Sequence, residues 1–246
     1  MRENEAYACV VATASAIIIG DEILSGKFPD ENGPYLVRRL REIGVDLGRM
    51  SIIPDTCEAI ADEVRHCSER FDLVFTTGGV GPTHDDITLE SIALAFGEPL
   101  ELVDELHAIL LKRWPEGPPE PAMRMARLPR GAELIWEGNA RFPLVRVRNV
   151  HIFPGVPYLF QDKFEAVAHR WMGETISTAR IHLDKREVVI AEMLDSAQKR
   201  WPQVAIGSYP RREDGSWSVI VTLESRDQVG LADAHQFLAR SLGTAD

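Results

Sequence analysis

Cysteine is scarce in this chain, and its three copies follow no metal or disulfide pattern. Cys9, Cys57 and Cys67 are an odd number without a CxxC pair, so neither a zinc site nor a disulfide framework is expected. They read as small hydrophobes of a reducing compartment. Long apolar runs are missing as well: none reaches the roughly 18 residues of a membrane span. The opening MRENEAY is polar and acidic rather than secretory. The expectation is a cytoplasmic protein with no membrane partner. Positive charge is also in short supply, with 27 Lys and Arg against 38 Asp and Glu and a net charge of −11. That balance argues against nucleic acid as a partner. The histidines show no HxH or HExxH spacing, and the serines have no GxSxG context. GxxxxGK[ST] is absent too. Zinc enzymes, serine hydrolases and Walker-type NTPases are therefore set aside.

What is present suffices for a larger and a smaller domain: 246 residues, 45% hydrophobic and 26% charged. Ala8–Ile19 reads as a buried strand, Gly33–Ile43 as a helix and Val45–Ile53 as a second strand. Ala59–Glu69 follows as a helix, Asp72–Thr77 as a third strand and Leu89–Phe96 as another helix. The proline-rich run WPEGPPEP, residues 114–121, predicts a stiff loop or lid before a short helix, Ala122–Leu128. Ala132–Trp136, Leu144–Val147 and Asn149–Phe153 read as strands, and Pro157 opens a helix to about Arg170. This alternation predicts βαβ units and a mostly parallel sheet. From about Gly173 a βαββα pattern takes over: Ile176–Leu183, Lys185–Arg200, Gln203–Tyr209, Ser216–Leu223 and Gln228–Leu242. The domains expected are 1–172, an α/β domain, and 173–246, a small α+β domain.

Ligands of parallel α/β sheets bind at the carboxyl ends of the strands, and three candidate segments fall there. The richest is Thr76–Thr88, TTGGVGPTHDDIT. Gly78, Gly79 and Gly81 let a ligand approach bare backbone, and the hydroxyls of Thr76, Thr77 and Thr83 can donate to phosphate. Asp85 and Asp86 cannot hold phosphate themselves, so they suggest a metal ion in between. The alternative is a turn that Asp86 or Thr88 merely caps. Gly20–Lys27 follows the first strand as a loop bearing Asp21, Glu22, Ser25 and Lys27, and it continues through Asp30 and Asn32. Pro54-Asp55 follows the second strand. Carboxylates from all three could hold a divalent ion against a pyrophosphate. Alternatively, Asp30 or Asn32 caps the next helix, with Asp21 and Glu22 only exposed.

GDEILSG, Asp30 and Asn32, Pro54-Asp55, TTGGVGPTHDDIT and FPGVP together resemble the molybdopterin-binding-like domain of competence/damage-inducible CinA proteins. The likeness extends to the N-terminal region of eukaryotic FAD synthases through Phe142–Gly155 and a GSYP turn at Gly207–Pro210. This resemblance implies a three-layer α/β sandwich and carboxylates at Asp55 and Asp86 of the kind implicated in adenylyl transfer to molybdopterin. In the CinA-like branch it implies hydrolysis of dinucleotide pyrophosphates such as ADP-ribose or FAD. A divalent metal (Mg²⁺, Mn²⁺ or Co²⁺) would be used, with help from K⁺, in a dimer or trimer. The deamidase and adenylyltransferase domains of longer relatives have no counterpart before Asp246. Ala140-Arg141-Phe142-Pro143 stands where many relatives have a glycine-rich segment, so their base or flavin contacts are not carried over.

The combined expectation is a metal-dependent nucleotide pyrophosphatase. Its catalytic residues would be Asp55, Asp85 and Asp86, and its metal would sit on Asp21, Glu22 and Asp86. Ligand contacts would come from Ser25, Lys27, Asn32, Thr77, Gly78, Gly79, Gly81, Thr83, Pro154 and Gly155. Molybdopterin binding or adenylylation, or a non-catalytic nucleotide-binding module, are the alternatives.

Overall fold

The strand β1 (Thr13–Ile19) is buried on both faces, and its alternating side chains set the layers of the molecule. Ala14 and Ala16 pack with Leu36, Leu40, Phe75, Phe160 and Phe164 on one side. Ile17 and Ile19 pack with Ile60, Val64, Ile92 and Leu106 on the other. The computed structural model describes residues 11–138, 141–213 and 215–243. Residues 8–10 of the expected first strand, Cys9 among them, and Asn139-Ala140 lie outside the described residues.

After β1 come α1 (Asp21–Leu24), α2 (Asn32–Glu42), β2 (Asp46–Ile53), α3 (Cys57–Ser68), β3 (Leu73–Thr77) and α4 (Thr88–Phe96). They are followed by β4 (Leu100–Leu102), α5 (Asp104–Arg113), α6 (Glu120–Arg124), β5 (Arg127–Pro129) and β6 (Glu133–Ile135). The sequence then runs through β7 (Leu144–Val147), β8 (Val150–Phe153) and α7 (Pro157–Val167). Six strands form one sheet in the order β2-β1-β3-β8-β7-β6. β2, β1, β3 and β8 pair in parallel, and β7 is antiparallel to both its neighbours. With α2 and α7 on one face and α3, α4 and α5 on the other, this is the expected three-layer, mostly parallel α/β sandwich.

Four local expectations are corrected. Gly20–Lys27 is not all loop, because α1 makes one turn there, closed by the Leu24 and Ser25 amides donating back to Gly20 and Asp21. The helix expected at 122–128 covers Glu120–Arg124 instead, and Arg127–Pro129 leaves it to pair with Leu100–Leu102. α5, which buries Leu106 and Leu110, was not expected; its stripe is short and its other positions are mixed. α7 ends at Val167 and passes into a 3-10 turn over Ala168–Trp171.

The chain divides into two compact units between Gly173 and Glu174. The second unit holds β9 (Ser177–Leu183), α8 (Glu187–Arg200), β10 (Ala205–Glu213), β11 (Ser216–Ser225) and α9 (Gln228–Leu242). Its antiparallel sheet has the order β10-β11-β9. Ile181, Leu183, Val219, Val221 and Leu223 pack against Ile190, Leu231 and Leu238 of the two helices. The GSYP segment is a correction: residues 207–210 lie within β10, not in a turn. No helix among the described residues is long and apolar enough to cross a membrane.

His151 of β8 carries a prediction of its own. It is 3% exposed and stacks on Phe75, with ring centroids 5.5 Å apart, while Trp171 meets it edge-on. Burial, then the Arg146 charge, push its pKa down to about 4. The unfolded chain therefore binds a proton at about pH 6.5 that the folded chain refuses until about pH 4, so stability falls as pH drops through that window. The expected loss between pH 7 and pH 5 from this group is about 2 kcal/mol. His151→Phe keeps the ring packing and should remove that part of the acid sensitivity. Urea melts of both proteins at pH 7 and pH 5 check it, and equal pH slopes would refute it.

Candidate functional site

The site is built where β1, β2, β3 and β8 end on the same edge of the sheet. Gly78, directly after β3, has φ 107°, and a Cβ there would lie 2.1 Å from the Ile19 carbonyl oxygen. Only glycine fits. Gly79 follows with φ 62°, and the Thr88 hydroxyl donates to the Gly78 carbonyl at 2.9 Å. Gly155, after β8, would place a Cβ 3.2 Å from the Gly78 Cα, so the two loops meet backbone to backbone.

Asn32 pins α2 to this edge. Its Nδ2 donates to Thr77 Oγ1 at 2.9 Å and to the Gly155 carbonyl at 2.8 Å. Thr77 Oγ1 donates onward to the Pro154 carbonyl at 2.9 Å. The carbonyl acceptors fix which end of the amide faces them. Asp30 Oδ1 accepts from the amides of Asn32 and Gly33, each at 3.0 Å, which is the capping alternative considered for it.

A cavity of about 1100 Å³ opens along this edge. Glu22, Asp55, Asp85 and Asp86 line it, as do Asn32, Thr77, Gly78, Gly79, Gly81, Pro154 and Gly155. Asp55 is half-buried, and its Oδ2 accepts the Asp21 backbone amide at 2.8 Å. Burial raises its pKa, the charges of Glu22, Asp21 and Asp85 add to the rise, and the Asp21 amide opposes it. Asp85 moves the other way. The nearby Thr83 hydroxyl, its own amide and His84, whose Nδ1 is 3.8 Å away, hold it below the usual carboxylate range. Asp86 Oδ2 accepts from the Thr83 amide at 2.8 Å and from the Thr83 hydroxyl, so in this conformation it shapes the loop.

Other expected contacts lie apart from the cavity lining. Asp21 is exposed, and its amide donates to Asp55 while its charge acts on the same carboxylate. Ser25 is exposed and its hydroxyl donates to the Glu22 carbonyl at 3.3 Å, while the Lys27 ammonium sits 5.6 Å from the centre of the Phe28 ring. Thr76 is fully buried, and Thr83 acts through Asp86. Sequence reasoning missed the opposite wall: Ile135, Arg141, Phe142, Leu144, Leu159 and Lys163 also line the cavity. Phe142 and Leu144 lie in the Phe142–Gly155 segment that carries the likeness to FAD synthases, and Arg141 just before it, but none of the six was assigned to the site.

Among the described residues, no group of three or more His, Cys, Asp or Glu side chains is arranged to hold a metal ion. The acidic wall nevertheless offers carboxylate oxygens to one cavity. Magnesium-like ions commonly take one or two such ligands and complete their shell with water and substrate phosphate. The donor set fits an ion shared with a phosphate ligand rather than one caged by protein.

Residues 15–173 match the family described as probable molybdopterin binding domain. The chain belongs to this family. Residues 175–245 match the FAD synthase middle domain. A protein of Archaeoglobus fulgidus is 34% identical over 195 residues, which cover 79% of this chain and 84% of that protein. The probable FAD synthase of Caenorhabditis elegans is 32% identical over 241 residues, covering 87% of this chain and 46% of the relative. The chain thus spans about half the length of that synthase. The crystal structure of the protein CinA, of unknown function, from Thermoplasma acidophilum superposes with a TM-score of 0.61. It is 28% identical and covers 66% of this chain and 99% of that one. The likeness to CinA proteins and FAD synthases read from the motifs is borne out.

Proposed function

We propose that the first unit hydrolyses the pyrophosphate of a dinucleotide of the FAD or ADP-ribose class, with a divalent metal ion. The observation that carries the reading is the cavity itself, which joins four carboxylates to the bare Gly78–Gly79 backbone. Backbone without side chains lets phosphate oxygens come close. Asp55, anchored by the Asp21 amide, accepts a proton from the attacking water; its raised pKa makes it a better base than an ordinary aspartate. One or two of the carboxylates Glu22, Asp85 and Asp86, with water and substrate phosphate completing the shell, would hold Mg²⁺, Mn²⁺ or Co²⁺, which would offset phosphate charge and polarise phosphorus. Thr83 keeps Asp86 in register with the loop, and Asn32 keeps the β3 and β8 ends together.

The same wall suits a pterin pyrophosphate, which the family description favours as a second reading. One assay separates the two. Purified protein is incubated with FAD, ADP-ribose or molybdopterin plus ATP, with each metal, with EDTA, and with or without K⁺. AMP release that appears with a metal and stops with EDTA is expected. Intact dinucleotide under every condition would sink the hydrolytic reading, and adenylylated molybdopterin would replace it with the second. Self-association as a dimer or trimer belongs to the same proposal, and sedimentation of the same preparation tests it.

A further inference from the structure

Asp85 and Asp86 sit on a loop that has little to hold it. Val80 and Ile87 pack against the core of the first unit, but residues 82–85 between them are exposed. Inside the loop, the Asp86 amide donates to the Thr83 carbonyl at 3.2 Å, and Asp86 Oδ2 accepts the Thr83 amide at 2.8 Å. These local bonds fix the shape of the loop but not its place over the cavity. Among the described hydrogen bonds, one reaches residues 81–86 from elsewhere: Arg124 Nη1 of α6 donates to the Thr83 carbonyl at 3.2 Å.

α6 is a firm place to hold from. Ala122 is buried on it, and Ala126 and Leu128 are buried just after it. The Pro119 carbonyl accepts the Ala122 and Met123 amides at 2.9 and 3.1 Å, so the proline-rich run 114–121 leads directly into the seat of this helix. The Ala126 carbonyl accepts the Val103 amide at 2.8 Å, and β5 then pairs with β4. Met125 and Leu128 of the same segment line the cavity.

Arg124 is exposed, and among the described residues no carboxylate pairs with it. Its guanidinium takes a backbone carbonyl instead, which leaves the oxygens of Asp85 and Asp86 without an arginine. That arrangement suits a loop that receives a cation, because a guanidinium on either carboxylate would compete with a metal ion. Held by its carbonyl, Thr83 keeps its amide and the Asp86 carboxylate at the cavity. The freedom that the loop would lose on binding an ion is then lost in advance. A mere nearby charge would act the other way, since Arg124 would repel the ion. The two roles predict opposite signs.

We infer that Arg124 is a positioning residue: through Thr83 it holds the Asp85–Asp86 loop ready for the divalent ion of the proposed hydrolase. The inference rests on that metal reading, and its test measures binding rather than turnover. Mn²⁺ is titrated, with methylene diphosphonate as a non-cleavable pyrophosphate, against the wild-type chain, Arg124→Met and Arg124→Lys. Bound ion is read by electron paramagnetic resonance. NaCl at about 0.5 M shortens the screening length to ~4 Å and mutes the repulsion of an exposed charge. R124M should weaken Mn²⁺ binding by ~3- to 10-fold, the worth of one net hydrogen bond. R124K, which keeps a charged donor, should recover part of the loss. In metal-free R124M the amides of Thr83 and Asp86 should exchange faster by a similar factor, while the Val103 amide and Tm stay put. Three results would each overturn the inference: equal or tighter Mn²⁺ binding in R124M, unchanged exchange at Thr83 and Asp86, or no Mn²⁺ bound by the wild type. The first two leave the hydrolytic reading standing, and the third removes the metal from both. If dinucleotide stays intact while the R124M effects hold, only the catalytic reading falls.

Discussion

Asp55→Asn is expected to lower turnover of the cleaved dinucleotide by about 10²- to 10⁴-fold, the range for loss of a positioned proton acceptor. Substrate affinity should change far less. The substitution is nearly isosteric, and the new amide oxygen can still accept the Asp21 backbone amide that Oδ2 accepts at 2.8 Å. Stability should hold or rise. A raised carboxylate pKa means that the ionised form weakens the fold, and asparagine removes that charge from beside Glu22, Asp21 and Asp85. Single-turnover rates, KM and urea midpoints measured together separate lost chemistry from lost structure. Activity within threefold of wild type would remove Asp55 from the mechanism.

The second large effect is structural and centres on Gly78. An alanine there meets the Ile19 carbonyl oxygen at 2.1 Å in a backbone conformation, φ 107°, that L residues seldom adopt. β1 and β3 are paired up to Ile18 and Thr77, so neither strand end can retreat without breaking the ladder. Gly78→Ala is expected to cost about 4 kcal/mol and to displace the loop. Gly97→Ala is the matched control. Its φ is 67° but no atom lies within 4 Å of its Cβ, so about 1 kcal/mol is expected. Urea melts of both variants give the comparison, and similar midpoints would show that crowding at Ile19 plays no part.

The acidic half of the site was legible because its signals are local. Gly78 and Gly79, which need positive φ, sit within a few residues of Asp86, and Asp55 stands two residues past the end of β2, so all four could be picked out from the chain alone. The strands were legible for the same reason, since the short continuous runs of β1 and β3, buried on both faces, are a local pattern. Lys163 was not legible. Its partners are backbone carbonyls 20 and 21 residues away, a contact that leaves no trace in side-chain pattern. Ser25 and Lys27 fall outside the cavity lining, just past the end of the turn of helix α1. α5 was missed although Leu106, Ile109 and Leu110 stand at helical spacing, a stripe confined to a single turn.

The reversed strand β7 has an evolutionary consequence. It and β6 form the outer margin of the sheet, joined to the rest only through β8. Insertions, deletions or wholesale replacement of the segment between them leave the ends of β1, β2 and β3 untouched. Selection can therefore change the wall that the β6–β7 segment contributes to the cavity while the ends of β1, β2 and β3 keep their places in the sheet.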